Sequence, residues 1–233
     1  MVEDLKKAMQ KKANPEKVKA YQWFFKTGPG EYGEGDKFLG VIVPEQRKIA
    51  KQFIHLSLPD IQQLLKSTIH EYRFTALEIL VMQYEKADEK TQEKIYKFYL
   101  KNTKYINNWD LVDTSASYIV GHYCFTHNSE ILYKLAKSKN IWEKRIAIIA
   151  TQYFIKNNKF TDTLNIAKIL LHDTHDLIHK AVGWMLREVG NKSLQTEEEF
   201  LKQHYQKMPR TMLRYAIEKF PKEAREYYMK RNV

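Results

Sequence analysis

One recurring pattern restricts the fold of this chain more than any other. A basic residue, a small residue and then an apolar run appear in "RFTALEILVMQY" (73–84), "KRIAIIATQYFI" (144–155), "KAVGWMLREV" (180–189) and "LRYAIEKF" (213–220). With Ala116 of "WDLVDTSA" included, Ala76, Ala116, Ala147, Ala181 and Ala216 recur at spacings of 40, 31, 34 and 35 residues. Segments of this length and apolar period form helices, and helix pairs repeating at such an interval bury their faces by stacking on their neighbours. The pattern predicts an all-α chain built as an α-solenoid.

Punctuation along the chain agrees. Asn14-Pro15 supplies a cap with proline in the first turn, and Ser57–Asp60 and Thr196–Glu199 have capping-box spacing. Asp88 caps "EKTQEKIYKFYLKN", and Asp173 or Thr174 caps the run through "KAVGWMLREVG", which Gly190 ends. Pro44, Pro209 and Pro221 mark further boundaries. The count is about 12–14 helical segments. Only "FLGVIV" (38–43) resembles a strand, and it has nothing to pair with. The repeat length points to HEAT-like helical repeats forming one domain over residues 1–233, curved with a basic concave groove. Second helices of successive repeats line that groove, so Asp113, Arg145 and Trp184, 32 and 39 residues apart, are expected to converge on it.

Charge narrows the partners. With 39 Lys and Arg against 28 Asp and Glu, the formal net charge is +11, which favours nucleic acid or an anionic membrane surface. No stretch approaches the roughly 18 apolar residues of a membrane span. The single cysteine, Cys124, excludes an intrachain disulfide and a thiolate-rich metal site and fits a reducing compartment. The polar, amphipathic start reads as no secretory leader. A cytoplasmic, monomeric protein is expected.

The stretch "NNWDLVDTSA" (107–116) departs from ordinary core. Its asparagines open a helix, and Trp109 and Asp113, four apart, project from one face. Burying Trp109 deeply would drag Asn108, Asp110 and Asp113 with it, so ring and acid read as a site. Trp184 follows Gly183, which removes bulk beside the ring and admits a close approach by another body. An indole face attracts cations and a carboxylate adds full negative charge, so the pair suits a cationic species, stable or transient. Trp23 of "YQWFFK" reads as core, and Trp142 of "NIWEKR" as packing at a helix start. "HDTHDLIH" (172–179) has histidines four apart but no HExxH arrangement, and no metal site is assigned. "GPGEYGEG" (28–35) lacks a P-loop ending and carries acids that repel phosphate, so it reads as a mobile connection between helices.

"NNWDLVDTSA", "WEKRIAII" and "KAVGWMLREVG", in this order and spacing, resemble the AlkD-type DNA alkylation-repair glycosylases, which are built of HEAT-like repeats. "FLGVIVPEQRKIAK" and "MPRTMLRYAIEKF" extend the likeness to nearly the whole chain. The resemblance implies excision of N3- and N7-alkylated purines from double-stranded DNA, without base extrusion and without a cofactor. It implies catalytic roles for Trp109, Asp113 and Trp184, with Arg145 near the phosphates. Arg47, Lys144, Lys180, Arg210 and Arg214 are further candidates for DNA binding; Arg187, beside Glu188, is the weakest. A HEAT-like module that binds nucleic acid or scaffolds proteins without catalysis is the alternative reading of the same basic helices.

Overall fold

The computed structural model describes residues 1–230. The chain is all-helical, with successive packed helices consistent with an α-solenoid of helical repeats. Two compact units divide it, residues 1–115 and 116–233.

The first unit contains α1 (Val2–Gln10), α2 (Pro15–Phe24), α3 (Val43–Gln52), α4 (Leu58–Leu65), α5 (His70–Lys86), α6 (Glu89–Lys101) and α7 (Trp109–Asp113). Helix α5 is its axis and packs against α3, α4, α6 and α7. Leu77, Ile79 and Leu80 on α5 are fully buried, each contributing about 1.5–3 kcal/mol through removal of apolar surface from water. The polar side chains of His70, Glu71 and Arg73 are buried at the same helix's start.

The strand-like "FLGVIV" segment does not pair with another strand; among the described residues the only β contact is an isolated bridge between Lys37 and Ile69. A carboxylate replaces the missing ladder. Glu71 accepts from the backbone N–H groups of Leu39, Gly40 and Val41 at 3.0, 2.8 and 3.3 Å, so a largely buried, non-helical stretch of backbone keeps its donors satisfied.

The second unit contains α8 (His122–Thr126), α9 (Glu130–Ala136), α10 (Ile141–Ala150), α11 (Gln152–Lys156), α12 (Thr161–Ile169), α13 (Asp176–Lys192), α14 (Leu194–His204), α15 (Arg210–Ala216) and α16 (Lys222–Met229). A π-helical turn, Ser117–Gly121, precedes α8. Helix α13 packs against α10, α14 and α15. The five alanines of the repeat are all completely buried, as small residues at close helix crossings should be.

Several capping expectations hold. Asn14 caps α2, Asp88 caps α6 through the Thr91 N–H, and Ser57 and Asp60 form a full capping box on α4. Others need correction. Helix α13 is capped by His175, whose Nδ1 accepts from the Leu177 N–H, because Asp173 is already accepting from the His175 N–H. Gly190 does not end that helix, which runs to Lys192. Its missing side chain instead makes room for the buried carboxyl of Glu197 on α14. Ser193, rather than Thr196, then caps α14 by accepting from the Thr196 N–H. Trp23 is not core: it is 77% exposed, on a helix with no buried residue, and the chain turns inward only at Phe25. Trp142 is buried at the start of α10, where Asn140 accepts from its N–H.

Candidate active site

The site in the first unit is built around the short helix α7. Asn108 caps it, its side chain accepting from the Trp109 N–H at 2.8 Å. The Trp109 ring stacks on Phe25 with centroids 5.5 Å apart and planes 20° from parallel, and Phe24 meets it edge-on at 5.6 Å. Phe25 continues the stack onto Phe38 at 5.2 Å. These rings line a cleft of about 450 Å³, with Asp110, Asp113 and Arg47 among its polar walls. Ring and acid four residues apart thus share one cavity. Next to Asp113, the Thr114 hydroxyl donates to Glu78 at 2.6 Å, and Glu78 also holds the Nε of Arg47 at 3.2 Å.

A buried charge network underlies this wall. The His70 side chain, 3% exposed, donates from Nε2 to Asp110 at 2.7 Å and from Nδ1 to Asp36 at 3.1 Å. Asp36 also receives Arg73 at 2.6 Å, and Arg73 donates to the Ser67 carbonyl as well. Burial by itself would depress the imidazole pKa, but the Asp110 charge and the hydrogen bonds to Asp110 and Asp36 lift it to about 9, against repulsion from Arg73. Burial opposes ionisation of Asp36, yet bonds to His70 and Arg73 prevail and hold its carboxyl below the usual range. Asp36, His70 and Arg73 thus lie buried beneath the aromatic floor, where His70 lies 4.6 Å from Phe25 and 5.0 Å from Phe38, and Asp110 joins them from the cleft wall.

The glycine-rich connection between α2 and α3 uses its acids inwardly. Glu31 and Glu34 accept from the N–H groups of Gly28 and Gly30, folding the loop on itself, while Asp36 joins the buried network.

In the second unit, Trp184 is half-buried on α13, and its ring N–H donates to Glu188 at 3.1 Å. The space left by Gly183 is taken by the chain's own α15, through the Met212 carbonyl and Tyr215. Arg145, on α10, is only 5% exposed and donates to the Leu177 carbonyl at 2.6 Å, at the start of α13. Lys144 pairs with Asp173 at 2.6 Å, and Lys180 with Asp176 at 2.7 Å. Arg187 pairs with Glu218, and Arg210 donates to the Met229 carbonyl at 3.1 Å. Arg214 is exposed on α15. Two histidines of "HDTHDLIH" serve the helix start: His175 caps it, and His179 donates from Nε2 to the Asp173 carbonyl at 2.5 Å. No group of three or more His, Cys, Asp or Glu is placed to hold a metal ion among the described residues.

The family model for DNA alkylation repair enzymes matches residues 5–220. The chain belongs to that family. Among solved structures, a predicted DNA alkylation repair enzyme from Enterococcus faecalis is similar over 91% of this chain and 98% of its own, at 18% identity and a TM-score of 0.70. The smu.31 protein from Streptococcus mutans is similar over 82% of this chain and 92% of its own, at 15% identity and a TM-score of 0.54. At such identities the likeness is one of fold. No curated protein matches the chain. No helix among the described residues of this DNA alkylation repair family member is long and apolar enough to cross a membrane.

Trp109, Asp113 and Arg47, singled out by the sequence, line one cleft, and most of its remaining wall comes from residues in no candidate site motif. Phe24 and Phe25 are visible in sequence only as an aromatic run, and His70 stands in no motif. Nothing local ties them to residue 109.

Proposed function

We propose that the protein is a monofunctional alkylpurine DNA glycosylase, hydrolysing the N-glycosidic bond of N3- and N7-alkylated purines in duplex DNA without extruding the base. The observation that carries this reading is the placement of Trp109 and Asp113 on the wall of one aromatic cleft, in a chain of the alkylation repair family.

Alkylation at N3 or N7 gives the purine a positive charge, so it departs with the electron pair of its bond to C1′ and little acid assistance. The sugar is left with oxocarbenium character. The Trp109 face offers negative quadrupole potential to that cation, and Asp113 supplies opposite charge and takes a proton from the attacking water. A pre-oriented electrostatic contribution of this kind is worth roughly 3–4 kcal/mol. For Trp184 we propose the same cation-stabilising role, and for Arg145 a position near phosphate, as the family resemblance implies. Arg47, Lys144, Lys180, Arg210 and Arg214 would hold the duplex by its phosphates, making affinity salt-dependent. The chemistry calls for no cofactor, and the protein acts as a monomer in the cytoplasm.

The test is incubation of purified protein with methylated duplex DNA and chromatography of the released bases. Free 3-methyladenine and 7-methylguanine are expected. Tight, salt-sensitive duplex binding without release would instead support the non-catalytic nucleic-acid-binding reading, and absence of both a protein scaffold.

A further inference from the structure

We propose that His70 is a positioning residue for α7: by bridging Asp36 and Asp110 it fixes the Trp109 ring on Phe25 and holds Asp113 at the cleft. This rests on the reading of Trp109 and Asp113 as the working pair. Two routes lead from the imidazole to the indole. One runs through Asp110, the residue after Trp109 in the first turn of α7, which His70 engages at 2.7 Å. The other runs through Phe25, which lies 4.6 Å from the His70 ring and stacks on Trp109. Asp36 adds a third tie, because the Asn108 side chain that caps α7 reaches it at 3.5 Å. A five-residue helix has too few internal hydrogen bonds to set its own direction, so such outside ties decide where its side chains point.

The bridge also sorts charge. Asp110 and Asp113 both line the cleft, on one short helix. Pairing Asp110 with His70 commits that carboxylate to the floor and leaves the role facing the sugar to Asp113. The charged groups around the imidazole are Asp110 from α7, Asp36 from the connection, and Arg73 and Glu71 from α5 itself; Glu71 is engaged by the Leu39–Val41 backbone. The native pKa of about 9 lies above the ordinary 6.5. The stability that the charged bridge contributes is therefore fully present below pH 6.5 and is lost as pH climbs through about 9.

The experiment labels the full chain with 5-fluorotryptophan and follows the Trp109 fluorine resonance, identified by its loss in Trp109→Phe. His70→Gln should shift or broaden that resonance and leave that of Trp142 in place. In single-turnover assays on methylated duplex it should slow base release on the order of tenfold to 10²-fold, as a small misplacement of a working group does, with little change in duplex affinity. Adding Asp110→Asn to His70→Gln should recover much of the rate, because the partly buried Asp110 charge no longer stands without its partner; a general packing defect would not be rescued. Should His70→Gln fail to fold, wild-type protein answers alone: its Trp109 resonance should move as pH passes about 9. A Trp109 resonance unmoved both by titration and by His70→Gln, with base release at the wild-type rate, overturns the positioning role while the glycosylase reading stands. A resonance that responds in a protein releasing no base retains the positioning role and removes the glycosylase reading.

Discussion

Trp109 and Trp184 begin from similar sequence, an indole with acids close by on a helix, and end in different surroundings. Trp109 lies face to face with Phe25 in a cleft, and the adjacent Asp110 is neutralised by a histidine forty residues away in sequence. Trp184 is steered by a residue one turn along its own helix, donating its ring N–H to Glu188. The contrast extends to their neighbours. In the first unit the decisive ion pairs join residues more than thirty apart and are buried, as with Asp36, His70 and Arg73. In the second, Lys180–Asp176 lies on a single helix, and the longer-range pairs Lys144–Asp173 and Arg187–Glu218 each leave a partner partly exposed. A cleft made of distant residues is a product of the tertiary fold and fails with it; a residue oriented by its own helix persists as long as the helix does.

Substitutions can break this contrast or sharpen it. The largest stability loss is expected from Arg73→Met in the first unit, which strips a buried cation from Asp36 and should cost about 3 kcal/mol, the lower end for a broken buried pair because His70 remains. Urea unfolding measures it, and a cost below that of a surface pair would erase the contrast. Next comes Gly183→Ala in the second unit, where a methyl group would press on the Met212 carbonyl and Tyr215; overpacking there should cost about 1–3 kcal/mol. Asn140→Ala removes the acceptor for the Trp142 N–H and should cost about 1 kcal/mol by thermal unfolding. The smallest effect belongs to Lys180→Ala, about 0.5 kcal/mol or less, since its pair with Asp176 is exposed to solvent.

The helical class was legible because helix periodicity, buried small residues and caps such as Asp88 and Ser57 are local signals, written within a few residues of where they act. The misplaced boundaries have one cause. Gly190 and Thr196 look like stop and start signals in isolation, but the close approach of Glu197 gives Gly190 a packing role and lets the helix continue. The candidate site was legible to the extent that it is local, as Trp109 and Asp113 share a helix. Its floor was not. Asp36 sits in a glycine-rich connection where acids read as solvated, and only the fold brings it to His70 and Arg73. The basic residues show the same limit from the other side. Composition predicts +11, but Arg145 donates into the start of α13 and Lys144 is held by Asp173, constraints that a charge count does not contain.

The most direct test of the account compares single-turnover base release by wild-type protein and Asp113→Asn on the same methylated duplex, with duplex affinity measured alongside. Asp113→Asn keeps the side chain's size and removes its charge, so release should slow on the order of 10²–10³-fold while binding is retained. Release at the wild-type rate by Asp113→Asn would contradict the proposal that this carboxylate supports a developing cation.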